Sequence, residues 1–272
     1  MSLGLASWAV PRPQRRLAGI RPSSPDYLFS AGLWLLGGLL VAFVGLPILR
    51  IYVGLNLSQL FQVAFGEGVL PSIGLSIEAA LLSAALATLL GVPLAYRLSR
   101  DSFPAKGLME MVVDLPLAVP HSVAGIALLF VFGRQGILGR PLGAVGLQFW
   151  GSLAGIVVGM LFVSCPFMVN TARVAFDGVD LELEQIAQTE GASSAKIFWM
   201  VAVPLASRGI FTGGVLSYAR ALSEFGAVVI LAYYPMTAPI KIYDLFLQGG
   251  LGPSTMGAAL LLAAALGSFL VL

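Results

Sequence analysis

Six apolar stretches, each near the roughly 20 residues that cross the hydrocarbon core of a bilayer, constrain this chain more than any other feature. They run over 28–53, 73–96, 108–132, 151–169, 209–232 and 256–272. At membrane depth a segment must satisfy its own backbone hydrogen bonds, so helices are the default, and barrel-type alternation is absent. The expected fold is therefore an all-α membrane protein, a six-helix transmembrane bundle. Of the 272 residues, 58% are hydrophobic and 10% are charged. A soluble domain of this size would carry about a quarter charged residues. The net charge of +2 is too small and too dispersed to suggest a nucleic-acid partner. The single cysteine, Cys165, excludes an internal disulfide and reads as a buried structural thiol.

Orientation follows from the basic residues of the loops. Residues 1–27 form a proline-containing arm with Arg12, Arg15, Arg16 and Arg21, followed by an apolar stretch too long for a signal-peptide core. With that arm in the cytoplasm, the inner face also holds Arg97, Arg100, Lys106, Arg173, Lys196 and Arg208. The outer face holds only Arg50, Arg134, Arg140 and Lys241. A multi-pass protein of the cell membrane with both termini cytoplasmic is expected. The chain ends at Leu272 inside the sixth stretch, with no basic or polar tail, so the natural protein is expected to continue.

Several positions are unusual at membrane depth. Pro116 and Pro120 sit four apart in the third stretch, where each removes a donor and disfavours helix before it, so a kink or unwound turn is expected. Cys165-Pro166 places a similar irregularity in the fourth. Arg220 and Glu224 share one helix face in the fifth. An unpaired charge there costs about 3 kcal/mol, so the two should face inward, either beside an anion path or as an ion pair that fixes the bundle. His121, the only histidine, and Ser122 follow the Pro120 break and either line that path or pack. Asp114 and Glu110 fall near the cytoplasmic start of the third stretch, and Glu78 has no evident partner in sequence. Gly155 and Gly159 suit close helix packing.

The loop over 174–205 carries the most information. Asp180 is placed to cap a helix whose first turn holds Glu182 and Glu184, Gly191 stands where a left-handed residue would end it, and Ser193 or Ser194 can cap a second helix running to Pro204. The result is a helix–glycine–helix elbow. Here the sequence resembles the permease subunits of ABC importers, whose loop carries Glu-Ala-Ala, three residues, Gly, nine residues, then Ile-x-Leu-Pro. With Gly191 on the motif glycine, Gln185-Ile186-Ala187 and Val201-Ala202-Val203-Pro204 take the flanking positions. The departures are Gln185 for the acid, with Glu184 adjacent, and Ile186 for the first alanine.

Further stretches, Leu115–Leu129, Phe132–Gly136 and Arg220–Pro239, resemble molybdate/tungstate permeases of the archaeal type, with sulfate permeases the nearest alternative. The resemblance spans 28–272 and implies a type I importer permease. In it, Glu184, Gln185, Ala187, Gly191 and Pro204 belong to the coupling helix that docks on an ATPase. It also implies an assembly of two copies of this chain, two ATP-binding cassette subunits and an extracytoplasmic oxyanion-binding protein. No cofactor is expected on this chain; ATP and Mg would be held by the separate ATPase, since no Gly-x-x-x-x-Gly-Lys-[Ser/Thr] loop is present. One histidine, one cysteine and no His-Glu-x-x-His argue against an intramembrane enzyme. A channel or secondary transporter would not need the elbow.

Overall fold

The computed structural model describes residues 27–271; the arginines of the N-terminal arm and Leu272 lie outside the described residues. The chain divides at Val53–Gly54. The first unit holds α1 (Tyr27–Tyr52), 26 residues or about 39 Å of helix, none of them buried.

The second unit opens with α2 (Leu57–Phe61), capped by the Asn56 side chain, and a π-helical turn over Gln62–Gly66. There follow α3 (Val69–Arg100), α4 (Lys106–Ala118), α5 (His121–Phe132), α6 (Gly139–Ala144), α7 (Leu153–Asp177), α8 (Leu181–Thr189) and α9 (Ser194–Ile197). A second π-helical turn, Phe198–Ala202, joins α9 to α10 (Val203–Leu222). The chain closes with α11 (Gly226–Leu231), α12 (Ala238–Gly249) and α13 (Leu251–Val271). There is no strand among the described residues.

Helices α3, α7 and α10 form the centre. Lipid is as apolar as leucine, so burial does not drive membrane helices together, and association relies on close packing and on hydrogen bonds between helices. Both are present. A Cβ on Gly209 would fall 2.3 Å from the Ala175 Cβ, and one on Gly213 would fall 3.2 Å from the Met168 Sδ, so these glycines let α10 lie directly against α7. Gly91 does the same for α3, at 3.1 Å from Val169. Three buried serines cross-link the helices: Ser83 and Ser164 are 3.3 Å apart, and the Ser217 hydroxyl donates to the Ser164 carbonyl at 3.3 Å. Gly155 and Gly159, expected to permit close approach, sit against Phe149 and Val228.

The side-chain contacts also fix direction. Ser83 meets Ser164 and Ser99 meets Asp177, so α3 and α7 run parallel with their C-terminal ends together. The chain between them must therefore return along the bundle. Helices α4 and α5 accomplish this although they are bent by 118°. Glu110 bridges to Arg173, Asp114 accepts from Asn170, and the Phe132 ring packs at a tilt against Phe149 just before α7 begins. The pair thus travels from the end of α7 to its start, as a broken span would. Five other helical segments are long and apolar enough to cross a membrane: α1, α3, α7, Ser194–Leu222 and α13.

Of the two prolines in the third stretch, Pro116 stays buried inside α4 and Pro120 makes the break. Val119 is extended (φ −81°, ψ 129°), as the residue before a proline prefers to be. Two expectations of interruption are not met. Helix α7 continues through Pro166, which is buried in the packed core. The elbow's second helix does not stop at Pro204. The π-helical turn widens the backbone just ahead of it, with Val203 N–H donating to the Phe198 carbonyl, so the ring is accommodated and the helix runs to Leu222.

Candidate functional site

Local chemistry builds the elbow as the sequence suggests. The Asp180 carboxylate accepts from Glu182 N–H at 3.0 Å and starts α8. Gly191 ends it at φ +85°, with Gly191 N–H donating to Gln188 and Ala192 N–H to Ala187, the paired bonds of a Schellman cap. Ser193, not Ser194, caps α9 by accepting from Lys196 N–H at 3.4 Å. Helix α8 turns Gln185 outward together with Leu181, Leu183 and Ile186, each 45–58% exposed, while Ala187 is half-buried. This exposed, partly apolar face is flanked by Trp199 and Met200 of the π-helical turn, both about two-thirds exposed.

Glu184 points the other way. It is 8% exposed, and its carboxylate accepts from the Arg100 guanidinium at 2.8 and 2.9 Å and from the Tyr96 hydroxyl at 2.8 Å. Arg100 also donates to the Val179 carbonyl at 3.3 Å and to Ser99 at 3.0 Å. Beneath this network the Tyr96 ring meets Phe176 and Phe198 edge-on at 5.3 and 4.9 Å, joining α3, α7 and the π-helical turn. In sequence Arg100 counts only among the basic residues of the inner face, and nothing marks Tyr96 or Arg100 as a partner of Glu184. They lie more than 80 residues from Glu184, and no local pattern pairs them.

The second cluster stands at the broken spans. The fifth apolar stretch is itself interrupted, since α10 ends at Leu222 and α11 begins at Gly226. Glu224, 1% exposed, bridges the gap: Oε2 accepts from Arg220 at 2.7 Å and Oε1 from Ala227 N–H at 2.8 Å. The same Arg220 nitrogen that bonds Glu224, NH2, also meets His121 Nε2 at 2.9 Å, and NH1 donates to Ser223 at 3.3 Å. Gly226 makes this possible, because a Cβ there would sit 2.7 Å from that of His121. Gly125 likewise admits Ala227 and Ile230. The cluster is open on one side: His121 is 48% exposed, Arg220 19%, and Ser122 and Ser223 are exposed. The structure thus brings His121, Arg220 and Glu224 together across two breaks. Ser122 is adjacent but outside the bonded set, and Glu78 is exposed on α3.

Three comparisons bear on this arrangement. Residues 87–272 match the family described as binding-protein-dependent transport system inner membrane component. A molybdate/tungstate transport system permease protein of Thermococcus kodakarensis is 39% identical over 248 residues, covering 90% of this chain and 94% of its own length. The probable molybdenum ABC transporter permease of Haloferax volcanii is 39% identical over 260 residues, 96% of this chain and 95% of its own. A probable sulfate transport system permease of Chlorokybus atmophyticus is 38% identical over 172 residues, 60% of each chain. Among solved structures, a chain of a bacterial ABC transporter that imports alginate superposes with a TM-score of 0.65 at 17% identity, over 90% of this chain and 95% of that one. This likeness supports the fold. Coverage, identity and fold agree that this chain belongs to the binding-protein-dependent transport system inner membrane components, the membrane-embedded permease subunits of ABC importers.

Proposed function

We propose that this permease carries molybdate and tungstate inward, driven by ATPase subunits that dock on the α8–α9 elbow. The observation that carries the anion assignment is the near full-length identity to relatives named for molybdate and tungstate. The sulfate-named relative matches over a shorter part of the chain. The elbow is the docking surface in this reading because its outward face, Gln185, Ile186 and Leu183, is exposed and partly apolar, as a surface awaiting a partner would be. Two copies of the chain, two ATPase subunits and an extracytoplasmic binding protein complete the assembly, with both termini in the cytoplasm.

The anion path in this reading passes the open side of the His121–Arg220–Glu224 cluster, between two copies of the chain. Proline-broken backbone and ionisable side chains at membrane depth are both best tolerated beside a wet cavity. Glu224 offsets the charge of Arg220, which leaves donors without a strong net cation. An anion is then attracted but not trapped. Reconstituted complex in liposomes tests the assignment. Uptake of labelled molybdate should be suppressed by excess tungstate and little affected by excess sulfate, and the reverse order would make the chain a sulfate permease. Cysteines at Ser122 and Ser223, with Cys165 replaced, should react with a water-soluble thiol reagent to different extents with and without ATP. Labelling absent in both states would remove the cluster from the path.

A further inference from the structure

The acid that the permease motif places at position 185 is a glutamine here, and the neighbouring Glu184 looks from sequence like its substitute. Its geometry contradicts that role. Glu184 faces away from the elbow's exposed surface, 8% exposed, and both carboxylate oxygens are engaged by α3, Oε1 by Arg100 and Oε2 by Tyr96. No other side chain of α8 forms a charged bond to the bundle among the described residues.

Helix α8 is joined to its chain neighbours through turns at both ends, Gly178–Asp180 before it and Glu190–Ser193 after it. Such turns transmit force poorly, because a few backbone dihedrals absorb a displacement. The Arg100–Glu184 bond is different: it is buried, bidentate at one oxygen and braced by a third residue. It fastens α8 to the end of α3, which is 32 residues and about 48 Å of continuous helix. Near its other end, the Ser76 hydroxyl of α3 accepts from Ala238 N–H at 2.7 Å, where the last loop enters α12. Along the way α3 is held to α7 by the Ser83–Ser164 contact and, through Tyr96, to Phe176 of α7 and Phe198 of the π-helical turn, while Ser217 ties α10 to α7.

We propose that Tyr96, Arg100 and Glu184 form a latch that makes the elbow and α3 a single lever. Glu184 is then a positioning residue for coupling and does not touch the ATPase. A displacement imposed on α8 is delivered through the latch to α3 and along it to the Ala238 turn at the opposite end of the bundle. This rests on the elbow being the docking surface, and the test separates the two ideas.

The complete complex, reconstituted with its ATPase and binding protein, is compared for wild type, Glu184→Gln, Arg100→Gln and Tyr96→Phe. The latch predicts that the glutamine variants retain their ATPase subunits and hydrolyse ATP at the basal rate within about twofold, while stimulation by loaded binding protein and transport both fall at least tenfold. Tyr96→Phe keeps the ring contacts and loses one hydrogen bond, so an intermediate loss of two- to fourfold is expected. A short bifunctional thiol-reactive cross-linker (a bis-methanethiosulfonate, which releases methanesulfinate at each end) joining cysteines introduced at Arg100 and Glu184, with Cys165 replaced, should restore stimulation. Wild-type transport in both glutamine variants overturns the latch. Loss of the ATPase subunits from Glu184→Gln but not from Arg100→Gln also overturns it, because Glu184 would then act at the contact. Should both glutamine variants fail to assemble, Tyr96→Phe decides: unchanged stimulation refutes the latch and a partial loss supports it. Gly191→Pro serves as the separate control. If it leaves coupling intact, the docking surface is elsewhere whatever the latch variants do.

Discussion

Removing Arg220 should harm this protein more than removing Arg220 and Glu224 together. In Arg220→Ala a carboxylate 1% exposed keeps the Ala227 N–H but loses its 2.7 Å cationic partner. Stranding one member of a buried pair costs about 3–5 kcal/mol. Glu224→Ala strands a guanidinium that is 19% exposed and still reaches Ser223 and His121, and it orphans one buried N–H. A lost buried acceptor of this kind costs about 1–3 kcal/mol. The double alanine variant contains no stranded charge, so it should be more stable than Arg220→Ala and depart from additivity by about 1–3 kcal/mol. The measurement is the folded fraction of the four proteins against SDS mole fraction in mixed micelles, followed by transport in liposomes. We expect the double variant to fold and assemble yet transport at least tenfold more slowly, because the donors beside the path are gone. Additive losses would refute the reading of Glu224 as a partner-dependent buried charge. Wild-type transport in a stable double variant would make the cluster a purely structural tie.

Three other outcomes are expected. At Gly191, alanine has open space around its Cβ, so only the left-handed strain of about 1–2 kcal/mol applies and coupling should survive; proline cannot reach φ +85° and removes the donor to Gln188, so ATPase stimulation should be lost. Gly209→Leu drives a side chain into Ala175 and should lower the yield of folded permease severalfold in detergent extracts, whereas Gly214→Ala, whose Cβ would lie 3.7 Å from Thr88, should be neutral. A reporter fused near Gly143 should read as external and one near Gly178 as cytoplasmic; the opposite result at either site would reverse the orientation drawn from the basic residues.

The all-helical character and the caps of the elbow were legible in the residues alone. Each follows from a constraint acting over one helix or one turn. Hydrocarbon forces helices wherever apolar residues run for about 20 positions. Asp180, Gly191 and Ser193 act on backbone groups within a few residues of themselves, so their roles could be read in isolation. Which proline would break its helix was not legible in the same way. Pro120 breaks the chain, while Pro166 and Pro204 are absorbed by packing and by a π-helical turn, and those compensations come from surroundings that the local sequence does not specify.

Tertiary structure alone decided the rest. Glu184 appears in sequence as a first-turn acid of the helix, adjacent to the motif position, and only the arrival of Tyr96 and Arg100 from α3 turns it into a buried anchor. Arg220 and Glu224 announce themselves as a pair by their spacing. That His121 joins them, and that Glu224 closes the gap between α10 and α11, depends on α5 meeting α11 at Gly226. The physical reason is the range of the interactions. Helix formation and capping are settled within about four residues. The direction a polar side chain takes inside a membrane bundle is settled by whichever donor or acceptor another helix brings within 3 Å.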